Sequence, residues 1–465
     1  MLIKKHGLFL ILRDVTPAFA SVLEAEFSFY AKKYDLFRSK VQVSRQENFA
    51  ILEDGSYCLP HGYLERLLEI LGTLKIPYLI EDQPYKILQA NWDALSQKFT
   101  FRYRQEELLK ILEERIVANR GGLVVAPPAF GKSYVFSALA CLYEEAKVDV
   151  VTKRRDVVMN IYNTMLRYMP RVGLCTGGKR EKGRVTVYTA GSLNYSDFTA
   201  DILVLDEVDE LVTDGFYHKF FSYSTNRIIG CTATPNTRFD GLQERIRGLC
   251  GPTIFTANYN EVAQAGSVVP IVVQWFRPPC PPMRLPELLV ERKRLGYWEN
   301  TARNSYIAKI AREFYNSGLQ TLILVETVDH ALNLKQFLPE FEVCYAGVRR
   351  EGNFPRISPK RRDELRVKFL SRELMGCIAT GVWSTGVSFD GLEVLIRADG
   401  LASKTASVQF PGRVSRICPD INKAAGIVVD FWDDFNEKTL RSTKARMKSY
   451  AANGWIQYSP SGQRL

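Results

Sequence analysis

The pattern of apolar and polar positions divides this chain into three regimes. Up to about residue 95, short strand-like and helical runs are mixed. Residues 7–14, Gly-Leu-Phe-Leu-Ile-Leu-Arg-Asp, form a strand pattern, and 17–31 a helical one. Residues 44–60 suggest strands turning at Asp54-Gly55. In 61–74, Leu64, Leu67, Leu68 and Leu71 fall on one helical face. From 96 to 255, apolar runs recur with helical segments between most of them: Gly-Leu-Val-Val-Ala-Pro, Val-Asp-Val-Val-Thr, Arg-Val-Thr-Val-Tyr-Thr-Ala, Asp-Ile-Leu-Val-Leu-Asp-Glu and Arg-Ile-Ile-Gly-Cys-Thr-Ala. That alternation predicts a mostly parallel sheet with crossover helices. Residues 256–300 contain Pro-Pro-Cys-Pro-Pro-Met and are expected to be a linker or surface excursion. A second α/β pattern fills 301–465, with helices over 301–316, 329–337 and 359–370. Its strands are expected at Thr-Leu-Ile-Leu-Val-Glu, Glu-Val-Cys-Tyr-Ala-Gly, Gly-Cys-Ile-Ala-Thr, Val-Leu-Ile-Arg-Ala and Gly-Ile-Val-Val-Asp-Phe. Near the end, Lys438, Arg441, Lys444, Arg446 and Lys448 recur at helical spacing and suggest a basic helix face.

Chemistry gathers where three of the apolar runs stop. Ala-Pro-Pro-Ala-Phe-Gly-Lys-Ser, 126–133, lies between a strand and a helix, the context a phosphate-binding loop requires. Backbone N–H groups at a helix start surround phosphate oxygens. Lys132 would reach the β and γ phosphates of ATP, and Ser133 would hold Mg2+. Downstream, Ile-Leu-Val-Leu delivers Asp206 and Glu207 to a strand terminus. Asp206 suits the metal, and Glu207 suits orienting a water and accepting its proton. A third run ends in Thr232-Ala233-Thr234 before Pro235. If the three ends share one sheet, these hydroxyls couple the acidic strand end to the rest of the protein.

The net charge of +11 favours a polyanionic partner. Nine cysteines lack CxxC pairing and four histidines form no cluster, which argues against structural zinc. Free thiols suit a reducing compartment, so a cytoplasmic location is expected. The N-terminal Leu-Phe-Leu-Ile-Leu is too short for a signal-peptide core, and no apolar run reaches membrane-spanning length.

Together these motifs resemble those of superfamily 2 helicases and translocases over about residues 98–435. The resemblance implies two tandem RecA-like parallel-sheet motor domains, 96–255 and 301–465, preceded by a small α+β domain, 1–95. It implies that Gln105 contacts adenine and that Ala129, Phe130, Gly131, Lys132 and Ser133 form motif I. Ala126 and Ala129 replace two glycines of the usual loop. Thr152 stands in motif Ia and Thr189 in motif Ib, both expected at nucleic acid. Asp-Glu-Val-Asp is motif II, and Thr232, Ala233 and Thr234 are motif III. Leu322–Glu326 resembles motif IV. Motif V brings Thr380 to nucleic acid and Gly386 to nucleotide. Motif VI contributes Gln409, Arg413 and Arg416, with an arginine expected at the γ phosphate.

Within the superfamily, the nearest resemblance is to phage branch-migration helicases and related repair helicases. It rests on residues 56–62, where His61 replaces the arginine of a Leu-Pro-Arg-Gly element, and on Val429–Asp433. An ATP-dependent motor acting on duplex or branched DNA is the implied function. An ATP-gated nucleic-acid clamp and an RNA helicase are its rivals. No nuclease or methyltransferase motif accompanies the motor.

Overall fold

Gly122–Val125 is apolar at nearly every position because both faces of its strand are covered. In the computed structural model this strand belongs to an eight-stranded sheet. The order is Lys179–Glu181, Gly173–Thr176, Val185–Thr189, Val148–Thr152, Ile202–Asp206, Ile228–Thr232, Gly122–Val125, Thr253–Thr256. Lys179–Glu181 pairs antiparallel, and the other pairings are parallel. The structure describes residues 1–35, 40–128, 130–194, 198–235, 240–346, 356–383, 389–402, 407, 410–418 and 420–465. Residues 1–126 with 131–257 make one compact unit, and 127–130 with 258–465 another.

The front region is built into the first unit rather than standing apart. Its five-stranded sheet runs Ala50–Ile51, Tyr57–Pro60, Phe9–Arg13, Leu2–His6, Leu79–Glu81. Gly62 backs onto the helix Gln243–Cys250 so closely that a Cβ there would lie 2.3 Å from the Arg247 carbonyl oxygen. The Tyr63 hydroxyl donates to the Glu244 carbonyl at 2.8 Å. Leu8 joins the core cluster that contains Leu203, Leu205 and Val208. The helix expected over 17–31 stops at Glu26. Beyond it, Ser28–Asp35 pairs with Lys40–Glu47 as a separate two-stranded ribbon.

The second unit holds a seven-stranded sheet in the order Glu342–Cys344, Gly376–Ala379, Thr321–Leu324, Val394–Arg397, Gly426–Phe431, Ile271–Phe276, Ile456–Tyr458. Its pairings are parallel. The helix Thr301–Asn316 covers the expected span. Ile271–Phe276 corrects the expectation of a linker through 256–300. Ile271, Val273 and Trp275 alternate inward, and the strand inserts between Gly426–Phe431 and Ile456–Tyr458. The prolines that suggested irregular structure begin only after it.

The helix Glu437–Ala452 also departs from expectation. Arg446 does not contribute to a basic surface; it is fully buried and paired with Asp430 at 3.0 Å. Beside it, buried Arg303 forms a two-pronged contact with Asp433, at 2.8 and 3.1 Å. All nine cysteines are free. Among the described residues, no helix is long and apolar enough to cross a membrane.

Candidate nucleotide-binding site

The three chemically interesting strand ends are neighbours. Ile202–Asp206 pairs in parallel with Ile228–Thr232, placing Asp206 opposite Cys231. The latter strand pairs with Gly122–Val125, placing Thr232 opposite Val125. The Ala126 N–H then donates to the Thr232 carbonyl at 3.1 Å, tying the start of the loop to motif III. Gly131 takes a φ of 91°, a conformation that suits glycine, and caps the helix Lys132–Leu142. A Cβ on Gly131 would sit 2.6 Å from Gln105 Nε2, so Gln105 lies directly against the loop. Its Oε1 accepts from the Arg102 N–H at 3.0 Å. Phe130 is buried, and Ala129 lies outside the described residues.

Lys132 reaches across to the acidic strand end. Its Nζ is 3.1 Å from Glu207 Oε1 and 3.7 Å from Asp206 Oδ1. Burial opposes its charge, but Glu207 and Asp206 outweigh that and hold it as an ammonium. Burial raises the Asp206 carboxyl to about 6, against the opposing pull of Lys132. Asp209 is likewise raised to about 6, first by burial and then by Glu207. Glu207 itself has a φ of 50°, a left-handed conformation that costs a non-glycine residue roughly 1–3 kcal/mol. Motif III closes the arrangement. Thr232 Oγ1 donates to Asp209 Oδ1 at 2.7 Å and accepts from the Thr234 N–H at 3.0 Å. Ala233, between these threonines, is half-buried.

A divalent ion fits this donor set. Asp206 Oδ1 is buried and makes no hydrogen bond. Among the described residues, no cluster of three or more His, Cys, Asp or Glu is placed to hold a metal. Magnesium commonly takes one or two protein ligands and fills its shell with phosphate oxygens and water. Asp206 and the Ser133 hydroxyl, at the start of the helix, match that requirement.

The other expected residues divide. Thr152 and Thr189 end adjacent parallel strands and face each other in register. Thr152 is 1% exposed, so its side chain is not a surface contact. Lys153 and Arg155 beside it are exposed. Thr189 Oγ1 is 2.7 Å from Ser192 Oγ. Thr380 is buried at the end of Gly376–Ala379. In motif VI, Arg413 is buried and Arg416 lies 3.4 Å from Asp390. Gln409 and Gly386 fall outside the described residues.

One pair was not anticipated. Arg154 grips Glu210 through two hydrogen bonds, 2.6 and 3.0 Å, joining motif Ia to the short helix of motif II. The basic run after Val-Val-Thr was its sequence signal, but its partner is set by the adjacency of the two strands.

The loop before Lys132, an acidic strand end and a threonine-bearing strand end lie side by side on one of two largely parallel sheets, in a superfamily 2 helicase-like fold. The family comparison matches residues 98–237 to the type III restriction enzyme res subunit. A fragment of a putative HsdR subunit of a type I restriction enzyme from Vibrio vulnificus YJ016 aligns over 96% of this chain and 83% of its own, with a TM-score of 0.57 and 15% identity. S. cerevisiae Dbp5 bound to RNA and ADP BeF3 aligns over 78% of this chain and 92% of its own, with a TM-score of 0.54 and 15% identity. T4 UvsW covers 98% of this chain and 99% of its own, with 16% identity and a TM-score of 0.43. The comparison with curated proteins finds no match.

Proposed function

We propose that this chain is an ATP-dependent DNA helicase or translocase that remodels forked or branched DNA in replication, recombination or repair. One observation carries the reading: Lys132, Asp206, Glu207 and Thr232 converge from three adjacent strand ends, and Thr232 is hydrogen-bonded to Asp209 of motif II. In this reading Lys132 exchanges its carboxylate partners for the β and γ phosphates. Ser133 and Asp206 hold magnesium, and Glu207 takes the proton of the attacking water. The bound metal would neutralise charge on the phosphates. Gln105, against the loop, recognises adenine. Arg413 and Arg416 supply positive charge to the phosphoryl group in flight. Thr189, Lys153 and Arg155, with the strand end that carries buried Thr380, belong to the nucleic-acid edge, where phosphate contacts make binding salt-sensitive and largely sequence-independent.

DNA as substrate rests on the Asp-Glu-Val-Asp form of motif II and on the front region, and the kinship with branch-migration helicases on the resemblance of residues 56–62 and Val429–Asp433. Dbp5, whose fold this chain shares, was solved with RNA, so an RNA helicase is the competing reading. An ATPase panel across forks, four-way junctions, plain duplex and RNA separates them. Greatest stimulation by forks or junctions is expected; greatest stimulation by RNA would replace the DNA reading. A strand-displacement assay with the same substrates distinguishes a motor from an ATP-gated clamp.

A further inference from the structure

The ribbon Ser28–Asp35/Lys40–Glu47 stands outside the larger front sheet. Isolated two-stranded ribbons are marginal in water, and this one displays apolar side chains. Tyr30 is 68% exposed, Val43 57% and Val41 42%. The register pairs Tyr30 with Arg45 and Lys32 with Val43, so these four share one face. The two strands carry Lys32, Lys33, Lys40 and Arg45 against Asp35 and Glu47, and Glu47, paired with Ser28, lies on the same face as Lys32 and Arg45. Arg45 Nη2 donates to the Glu24 carbonyl and the Ser28 hydroxyl, both at 3.0 Å, fixing the base of the ribbon.

The ribbon also has a backbone attachment to the segment after motif III. The Lys32 N–H donates to the Asp240 carbonyl at 2.9 Å. Gly241 follows with a φ of 78°, and a Cβ there would meet the Tyr30 carbonyl oxygen at 2.4 Å. Four residues on, Arg245 of the helix Gln243–Cys250 is buried. It donates to the Val212 carbonyl at 3.2 Å and to Asp214 Oδ1 at 2.7 Å. Val212 directly follows Val208–Leu211, the helix carrying Asp209, which accepts from Thr232. A continuous path of hydrogen bonds and short helices therefore runs from the ribbon to the acidic strand end.

We propose that the ribbon face formed by Tyr30, Lys32, Val43 and Arg45 binds nucleic acid at a branch point and transmits its occupancy through Asp240–Gly241 and Arg245 to motifs II and III. The excess of positive over negative charge along the two strands favours a polyanion, whose phosphates Lys32 and Arg45 engage. The exposed ring and aliphatic side chains supply a surface on which unpaired bases stack. Such bases are available at a fork and are buried within plain duplex. The inference rests on the reading of the chain as a nucleic-acid-driven ATPase.

The test uses the full chain and two fluorescein-labelled DNAs, a fork and a blunt duplex of equal length, at matched salt. Folding of each variant is checked by thermal melting. Paired Tyr30→Ala and Val43→Ser substitutions are expected to weaken fork binding by about 10-fold, and duplex binding less. Lys32→Ala is expected to lower the slope of log affinity against log salt by about 1. Gly241→Ala should hold fork affinity within about 3-fold but lose fork stimulation of ATP hydrolysis. Should that variant fail to fold, Asp214→Asn, at an exposed carboxylate, should reduce the stimulation instead. Wild type that no nucleic acid stimulates would overturn both the motor reading and the inference. Wild type stimulated by forks, with ribbon variants that bind them equally well, would overturn the inference alone. Normal stimulation in a folded Gly241→Ala or Asp214→Asn variant would overturn the proposed transmission. Binding by the ribbon of a protein partner in place of DNA would appear as unaltered DNA affinity throughout.

Discussion

His61→Gln should relieve an acid sensitivity built into the first unit. His61 is 7% exposed, and burial lowers its imidazole to about 4, helped by the positive charges of Lys5, Arg120 and Arg115 and opposed by Asp82. In the unfolded chain the same group titrates near 6.5. Between these values the unfolded state binds a proton that the folded state excludes, so stability falls as pH drops through that window. A separation of about 2.5 units corresponds to about 3.4 kcal/mol once pH is below the folded value, and to about 2 kcal/mol at pH 5. Near pH 7.5 the contribution is close to nil. Glutamine keeps a polar side chain and carries no titratable proton. Segment-resolved hydrogen exchange suits the measurement, because the two compact units need not unfold together. Peptides from the helix Gln105–Val117 and strand Gly122–Val125 report on the first unit. Comparing wild type with variant at each pH cancels intrinsic exchange and the other titrating groups. From pH 7.5 to 5, wild type should lose about 2 kcal/mol more protection than His61→Gln. Equal losses would refute the assignment of a buried neutral imidazole.

Three further substitutions test other parts of the structure. Lys132→Ala should cut ATP turnover by on the order of 10²-fold or more, measured as phosphate release, since it removes the cation facing Glu207 and Asp206. Glu207→Gln should bind nucleotide but slow single-turnover hydrolysis by about 10²–10⁴-fold, because an amide cannot accept the water's proton; loss of nucleotide binding in a folded variant would point to a metal-holding role instead. Asp433→Asn leaves Arg303 short of its buried carboxylate and should destabilise the second unit by about 3–5 kcal/mol, read from urea unfolding; a change under about 1 kcal/mol would mean the pair is dispensable.

Strong local signals made much of this protein legible. The strand–loop–helix around Gly131-Lys132-Ser133 and the apolar run into Asp206-Glu207 carry their own context, and both formed as expected. Ile271–Phe276 was harder to see, because a strand buried between two others needs partners that lie over a hundred residues away in sequence. Arg446 looked like one cation among five on a helix. Its burial is set by Asp430 and Asp433, delivered by a neighbouring strand and the residues after it. His61 sits in a segment that resembles a DNA-contacting element, yet the packing of Gly62 against Arg247 and Gly248 turns that segment inward.

By itself, the sequence determined the strands that lead into the site, where a phosphate loop can form and which carboxylates stand at a strand end. These follow from periodicity, chain direction and the conformational freedom of Gly131, all local properties. Tertiary structure decided the order of strands and, through it, the meeting of Lys132 with Glu207, Thr232 with Asp209, and Arg154 with Glu210. It also decided that Thr152 is covered and that the ribbon reaches Asp240. Partner choice among charged and polar side chains depends on which segments the sheet brings side by side, and on how much water they exclude. Neither quantity is written in the spacing of residues along one chain.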